Sequence, residues 1–306
     1  MVIWQIYDGK PGHDNQSRGL VNALCRLGNC SSHDIAADGL KFSLLHCLAN
    51  KFPPGDHLPR PDFIIGAGHG THLPILCAKR AYGGGSVVIM QPSLPVRWFD
   101  FCLVPDHDQP EPAGNIIVTR GAINTVLPSR EHDDNFGLIL VGGPSRHFYW
   151  NEQEILDQIR AILIHDDTVS WQISDSPRTP PATSNALSQL EISHMTYHSW
   201  QRTGTGWVAK QLAQAGRVWV SSDSISMIYE ALTSGAATGV LSVPVKKPGK
   251  LTRTINILIA DGIVTPFPDW GNWRPLSPPP FVIDEALRCA GLLLKNVGRV
   301  QRQHGT

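Results

Sequence analysis

The sequence predicts an α/β protein built as two doubly wound halves, 1–128 and 135–306. Three observations carry this. Short apolar runs rich in β-branched residues alternate with helical patterns, as in parallel sheets covered on both faces. Glycine-containing turns follow the apolar runs. The alternation then restarts after a polar stretch, Pro128-Ser129-Arg130-Glu131-His132-Asp133-Asp134-Asn135, which reads as a linker.

In the first half, residues 2–7 form the opening strand, 8–14 its loop and about 15–27 a helix. Leu20, Val21, Leu24 and Leu27 make one apolar stripe on that helix. Residues 63–65 are the next strand, 66–71 its loop, and a helix continues to about Tyr82. Strands at 86–90, 101–104 and 115–118 complete the half. In the second half, 136–141 is a buried strand that turns at Gly142-Gly143-Pro144-Ser145. Asn151 caps the next helix, with Glu152 and Glu154 in its first turn, where the helix dipole favours acids. Strands follow at 169–173, 217–220 and 238–243, with helices at 225–234 and 251–260. Ligands of open parallel sheets bind at the carboxyl ends of strands, where these glycine-rich loops lie. Two such halves facing each other imply an interdomain cleft.

Composition narrows the function. The chain has 306 residues, 42% hydrophobic and 17% charged, enough apolar content for buried cores and too little charge for disorder. Lys plus Arg equals Asp plus Glu at 26 each, so there is no basic footprint for duplex nucleic acid. The start, Met1-Val2-Ile3-Trp4-Gln5-Ile6-Tyr7, lacks the charge-then-apolar pattern of a signal peptide. No apolar run reaches the roughly 18 residues that span a bilayer. Cys25, Cys30, Cys47, Cys77, Cys102 and Cys289 contain no C-x-x-C pair and sit mostly among apolar neighbours. Buried free thiols in a reducing, cytoplasmic setting are expected.

The strongest chemical signal is Val218-Trp219-Val220-Ser221-Ser222-Asp223-Ser224-Ile225-Ser226-Met227-Ile228-Tyr229-Glu230. A buried strand ends in hydroxyls and one acid and then enters a helix, whose first amides suit an anion. Ser222, Ser224 and Ser226 are candidate hydroxyl donors, and Glu230, one turn beyond Ser226, is placed to accept from a ribose. A plainly capped helix is the alternative. Gly142 and Gly143 let backbone approach a ligand, and Arg146 adds charge, although an ordinary turn explains the glycines equally well. Lys246, Lys247, Lys250 and Arg253 form a basic cluster after a strand.

In the first half, His13 is a candidate general base, since imidazole is the side chain suited to proton transfer near neutrality, and Asp14 either does that work or orients the imidazole. Gly66-Ala67-Gly68-His69-Gly70-Thr71-His72 fails the dinucleotide fingerprint, which disfavours a dehydrogenase. The pairs His69/His72 and His194/His198 have metal-like spacing but no third ligand, so no metal is expected. Leu44, Leu45, Leu48 and Phe52 line one side of a helix over 40–52. With Phe42, Lys41 and Lys51 that helix is a candidate for peripheral contact with the inner face of a membrane.

These residues resemble a family. Asp8-Gly9-Lys10-Pro11-Gly12-His13-Asp14-Asn15-Gln16, Gly142-Gly143-Pro144-Ser145 and Ser222-Asp223-Ser224-Ile225-Ser226-Met227 are similar to the mitochondrial-fission Elm family over about 1–290. The resemblance implies a GT-B fold, two Rossmann-like domains, and glycosyltransferase-like chemistry. Residues 221–262, with Glu230 and Asn256, also resemble the donor half of the peptidoglycan lipid-linked N-acetylglucosaminyltransferase. Gly235-Ala236-Ala237 replaces a frequent Gly-x-Pro, and His69-Gly70-Thr71-His72 is less Arg-rich than in family members.

The resulting expectation is a metal-independent, cytoplasmic glycosyltransferase with an N-terminal acceptor domain and a C-terminal donor domain. Gly142, Gly143, Ser145, Arg146, Ser222, Ser224, Ser226, Met227 and Glu230 would hold a nucleoside diphosphate sugar, and His13 or Asp14 would activate an acceptor hydroxyl. The donor is a substrate, so no separate cofactor is implied. Cell-envelope glycan or lipopolysaccharide assembly, with a lipid-linked acceptor, is the setting suggested. A nucleotide-sugar epimerase and a non-enzymatic fission-type adaptor remain the alternatives.

Overall fold

In the computed structural model, which describes residues 1–37, 47, 49–270 and 275–303, β1 (Val2–Tyr7) pairs in parallel with both β2 (Ser31–Ala36) and β3 (Phe63–Ala67). β4 (Gly85–Ile89), β5 (Phe101–Pro105) and β6 (Ile116–Thr119) extend the sheet in the order β2-β1-β3-β4-β5-β6. β3, β4 and β5 are buried at every position, as strands covered on both faces must be. One face is covered by α1 (Pro11–Leu27), whose Leu20, Val21 and Leu24 join Ile3, Ile65 and Leu103. On the other, Trp4, Ile6 and Val88 meet Ile75 and Ala78 of α2 (His72–Tyr82) together with Phe52.

The second sheet runs β12-β11-β10-β7-β8-β9, all parallel. Its strands are β7 (Asp133–Leu140), β8 (Ser170–Ser174), β9 (Met195–His198), β10 (Ala215–Ser221), β11 (Ala237–Leu241) and β12 (Thr265–Pro266). The helices between them are α3 (Glu152–His165), α4 (Pro181–Ser188), α5 (Trp207–Gln214), α6 (Ile225–Ser234) and α7 (Lys250–Ala260), and α8 (Phe267–Trp270) follows β12. Two fully buried tryptophans explain two strand glycines. Trp171 lies across from Gly137 and Trp219 across from Gly239, and a Cβ on either glycine would stand 2.4 Å from the indole.

Several expectations are corrected. α1 begins at Pro11, not near Asn15, because proline suits the first helical position. His13 and Asp14 are therefore helical. The last helix, α9 (Glu285–Gln303), does not belong with the second half: the compact units are Met1–Thr125 with Asp284–Thr306, and Val126–Ile283. Ala286, Cys289, Ala290 and Leu293 are buried against α1, so apolar burial, not chain order, assigns that helix. Four of the six cysteines are paired rather than free: Cys25–Cys30, whose Cα atoms lie 5.2 Å apart where the chain turns from α1 into β2, and Cys47–Cys77 at 4.3 Å. Cys102 and Cys289 are free, and burial pushes both thiols up to about 12. The helix expected over 40–52 falls largely outside the described residues; of its apolar stripe, Phe52 is core. Among the described residues no helix is long and apolar enough to cross a membrane.

Candidate functional site

In each sheet the chain winds outward in two directions from its first strand, leaving a switch point where strand-end loops part and ligands of such sheets bind. In the first unit the switch lies between β1 and β3. Asp8, just past β1, is nearly enclosed, with 6% of its side chain exposed, and faces His13 in the first turns of α1. His13 Nδ1 lies 3.1 and 3.0 Å from the two carboxylate oxygens. The loop after β3 closes over this pair. A Cβ on Gly68 would stand 2.1 Å from His13 Nδ1, and one on Gly70 2.9 Å from Asp8 Cβ. Glycine at both positions lets the backbone lie against the pair.

Asp14 does not orient the imidazole; Asp8 does. The early start of α1 turns His13 back over Asp8, whereas Asp14 Oδ1 is buried without a hydrogen-bond partner among the described residues. Burial, then the charge of Asp8, raises the Asp14 carboxyl above its usual range. His72 stands edge-on to His69, and its Nδ1 lies 3.1 Å from Ser93 Oγ in the loop after β4. Burial, helped by the neighbouring His69, lowers its pKa to about 4 and keeps the ring neutral.

In the second unit the switch lies between β7 and β10. The Gly143 amide, expected to face a nucleoside diphosphate sugar, donates to Asp223 Oδ2 at 3.0 Å, and the Gly142 amide donates to Ser221 Oγ at 2.7 Å. These glycines are needed for space. A Cβ on Gly142 would meet the Asp223 carboxylate at 2.3 Å, and one on Gly143 the Arg178 carbonyl at 2.0 Å. Ser222 is buried and accepts the Val243 amide at 3.0 Å, which ties two strand-end loops together. Ser145 Oγ accepts the amides of His147 and Phe148, and Arg146 Nε donates to His147 Nε2 on the surface. Lys246 Nζ donates to Ser145 O at 3.0 Å, so the basic cluster abuts the β7 loop.

α6 opens just after the end of β10. Ser224 is the N-cap residue but makes no side-chain capping bond, Ser226 is exposed and Met227 half-buried in the first turn, and half-buried Glu230 follows one turn later. Beyond β8 and β9 lies a cavity of about 740 Å³ bordered by Asp175, Ser184, Tyr197, His198, Trp200 and Trp207. Asp175 accepts from Ser184 Oγ (2.6 Å), Tyr197 OH (2.7 Å) and the Trp200 amide (2.6 Å), which fixes the walls. His198, noted in sequence only as half of a metal-like pair, contacts Gln172 Oε1 and packs on Trp207, while His194 Nε2 contacts Leu163 O. The sequence signal for this cavity was faint: two tryptophans seven positions apart beside a short strand.

The sequence pattern of the family described as Mitochondrial fission ELM1 matches residues 11–297. The uncharacterized protein RP120 of Rickettsia prowazekii (strain Madrid E) is 25% identical over 296 residues, covering 77% of this chain and 81% of that one. A Listeria monocytogenes structure assigned as UDP-N-acetylglucosamine 2-epimerase superposes with a TM-score of 0.63 at 12% identity, covering 99% of this chain and 97% of its own. The UDP-GlcNAc 2-epimerase of Neisseria meningitidis, bound to UDP-GlcNAc, gives 0.57 at 11% identity over 98% and 100%. The glycotransferase of kitacinnamycin gives 0.51 at 14% identity over 99% and 98%. The likeness is one of fold, and the fold is that of GT-B glycosyltransferases and epimerases.

Proposed function

Because the chain belongs to the mitochondrial fission ELM1 family and shares the fold of sugar-nucleotide enzymes, we propose that it is a glycosyltransferase that moves a sugar from a nucleoside diphosphate sugar to an acceptor hydroxyl. The observation that carries this reading is the Asp8–His13 pair at the first unit's switch point. With Nδ1–H directed at the carboxylate, Nε2 is the ring atom that takes a proton. His13 Nε2 would remove the acceptor proton as the acceptor oxygen bonds to the anomeric carbon and the bond from that carbon to the diphosphate breaks. Asp8 would stabilise the imidazolium that forms.

The second unit would hold the donor. Amides at the start of α6, with Ser224 and Ser226, would receive the charge that grows on the leaving diphosphate, the part played elsewhere by a metal ion. Glu230 would accept from the ribose hydroxyls. The cavity beside Trp200 and Trp207 offers flat aromatic walls for the base. A lipid-linked acceptor rests on residues 40–52, largely outside the described residues, and is not carried further.

The test is a thermal-shift panel of UDP, GDP, CMP, ADP and dTDP on the native protein, Glu230→Ala and His13→Gln. Ligand at about 100 times its Kd stabilises by roughly 2.7 kcal/mol. One nucleotide should raise the midpoint of the native protein and of His13→Gln but not of Glu230→Ala, and His13→Gln should lose sugar transfer. A panel that moves no midpoint would sink the reading and turn attention to a protein partner. Fold likeness favours a second reading, an epimerase of nucleoside diphosphate sugars. Incubation with donor alone separates the two, since an epimerase yields a new sugar nucleotide without an acceptor.

A further inference from the structure

Arg178 belongs to none of the motifs above, yet it is the cation held most firmly at the β7/β10 switch point. It lies in the loop after β8. The next residue, Thr179, donates through Oγ1 to Gly142 O at 2.5 Å and accepts the Ser176 amide at 2.9 Å, which fixes the backbone. The Arg178 guanidinium donates through Nη1 to Gly143 O at 3.0 Å, and Nη2 lies 2.7 Å from Asp223 Oδ2. Asp223 is fully enclosed, with 0% of its side chain exposed, and also receives the Gly143 amide. Loops from three strands thus converge on one ion pair.

Its position points to an anion. Asp223 immediately precedes Ser224, the N-cap of the ten-residue helix α6, whose first amides have no side-chain cap. A bare carboxylate there would repel a phosphate. Arg178 cancels that charge and, with 41% of its side chain exposed, keeps a face toward solvent. A guanidinium has five N–H donors, of which Gly143 and Asp223 engage one each. The second oxygen, Asp223 Oδ1, is buried without a hydrogen-bond partner among the described residues. Leaving such an acceptor unpaired is costly, so the carboxylate needs the neighbouring guanidinium. Arg146, the cation singled out in the sequence, is exposed and steadied by its neighbour His147.

We propose that Arg178 is the cation that binds the diphosphate at the start of α6, with Asp223 its positioning residue. The proposal rests on the nucleotide-sugar reading of the same site and names a residue that reading lacks. A planar fork suits phosphate oxygens, and pinning it beforehand removes the entropy of ordering a long side chain on binding.

Isothermal titration of the full chain with inorganic pyrophosphate and with UDP, GDP, ADP and dTDP tests it. The proteins compared are native, Arg178→Gln, Arg178→Lys, Arg146→Gln and the double variant Arg178→Gln/Asp223→Asn. The double variant removes both charges together, and its carboxamide still accepts from Gly143, so it keeps the test alive if Arg178→Gln alone fails to fold. We expect loss of Arg178 to weaken pyrophosphate and the matching nucleotide at least about tenfold, Arg178→Lys to fall between, and Arg146→Gln to stay within about threefold. Pyrophosphate binding that depends on Arg178, with no nucleotide bound, would uphold the cation and overturn the nucleotide reading. Nucleotide binding unchanged without Arg178 would overturn the cation and leave that reading standing. If the native protein binds neither pyrophosphate nor nucleotide, both fall.

Discussion

His72 shows how one buried side chain ties a loop to the proton concentration. Its ring is neutral in the folded protein because burial lowers its pKa to about 4, and in that form it meets Ser93 at 3.1 Å. An unfolded histidine takes up its proton near 6.5, so between these values the unfolded chain binds more protons. This contribution to stability is complete above pH 6.5 and is lost as the pH falls toward 4. Urea unfolding at stepped pH should show the native protein losing up to about 3 kcal/mol more than His72→Asn over that interval. Equal slopes for the two proteins would remove the assignment. Asp8 and His13 teach a related lesson. The polar density of residues 8–16 is plain in the sequence, but which acid faces the imidazole depends on where α1 starts. Pro11 shifts that start by a turn and exchanges Asp14 for Asp8.

At the scale of elements, α3 was the most legible. Asn151 caps it as expected, accepting the Glu154 amide at 3.4 Å and donating to Glu154 Oε1 at 2.7 Å. Asn151→Ala should cost about 1 kcal/mol of stability, read from the urea midpoint, and an unchanged midpoint would show the cap to be idle. Central strands β3, β4, β5, β7, β10 and β11 announced themselves because burial on both faces demands continuous apolar runs. Of the sheet-edge strands, β6 was legible at 115–118, whereas β2, β9 and β12 were not. β2 reads Ser31-Ser32-His33-Asp34-Ile35-Ala36, with only Ile35 buried. An edge needs one neighbour and little apolar cover, so its sequence carries little signal. The glycines after β7 were visible too, but their purpose was not. Glycine signals a close approach without naming what approaches, and here it is Asp223 and the Arg178 backbone.

For the whole molecule, the two-unit plan and its parallel sheets were readable from alternation alone. The ownership of α9 was not, since an amphipathic helix declares that it has an apolar side but not which sheet will cover it. Ending the chain at Ile283 should expose Leu20, Val21, Leu24 and Ile123, which Ala286, Cys289, Ala290 and Leu293 share a core with. The first unit should lose several kcal/mol, given about 2–5 kcal/mol for each large apolar side chain whose packing is removed. Hydrogen exchange should then speed up in β1 to β6 and stay slow in β7, β8 and β10. Protection retained in both sheets would show α9 to be dispensable.

The return of α9 also sets an order in time. A ribosome delivers β1 to β6 first, yet the helix that completes their packing comes only after all of Val126–Ile283 has been made. The second unit, continuous in the chain, has every part it needs before the first does. Until then the part of α1 that packs on α9 stands open on a nascent chain, a waiting surface for chaperones or for misplaced contacts. Of the two units, the one made first is the one completed last.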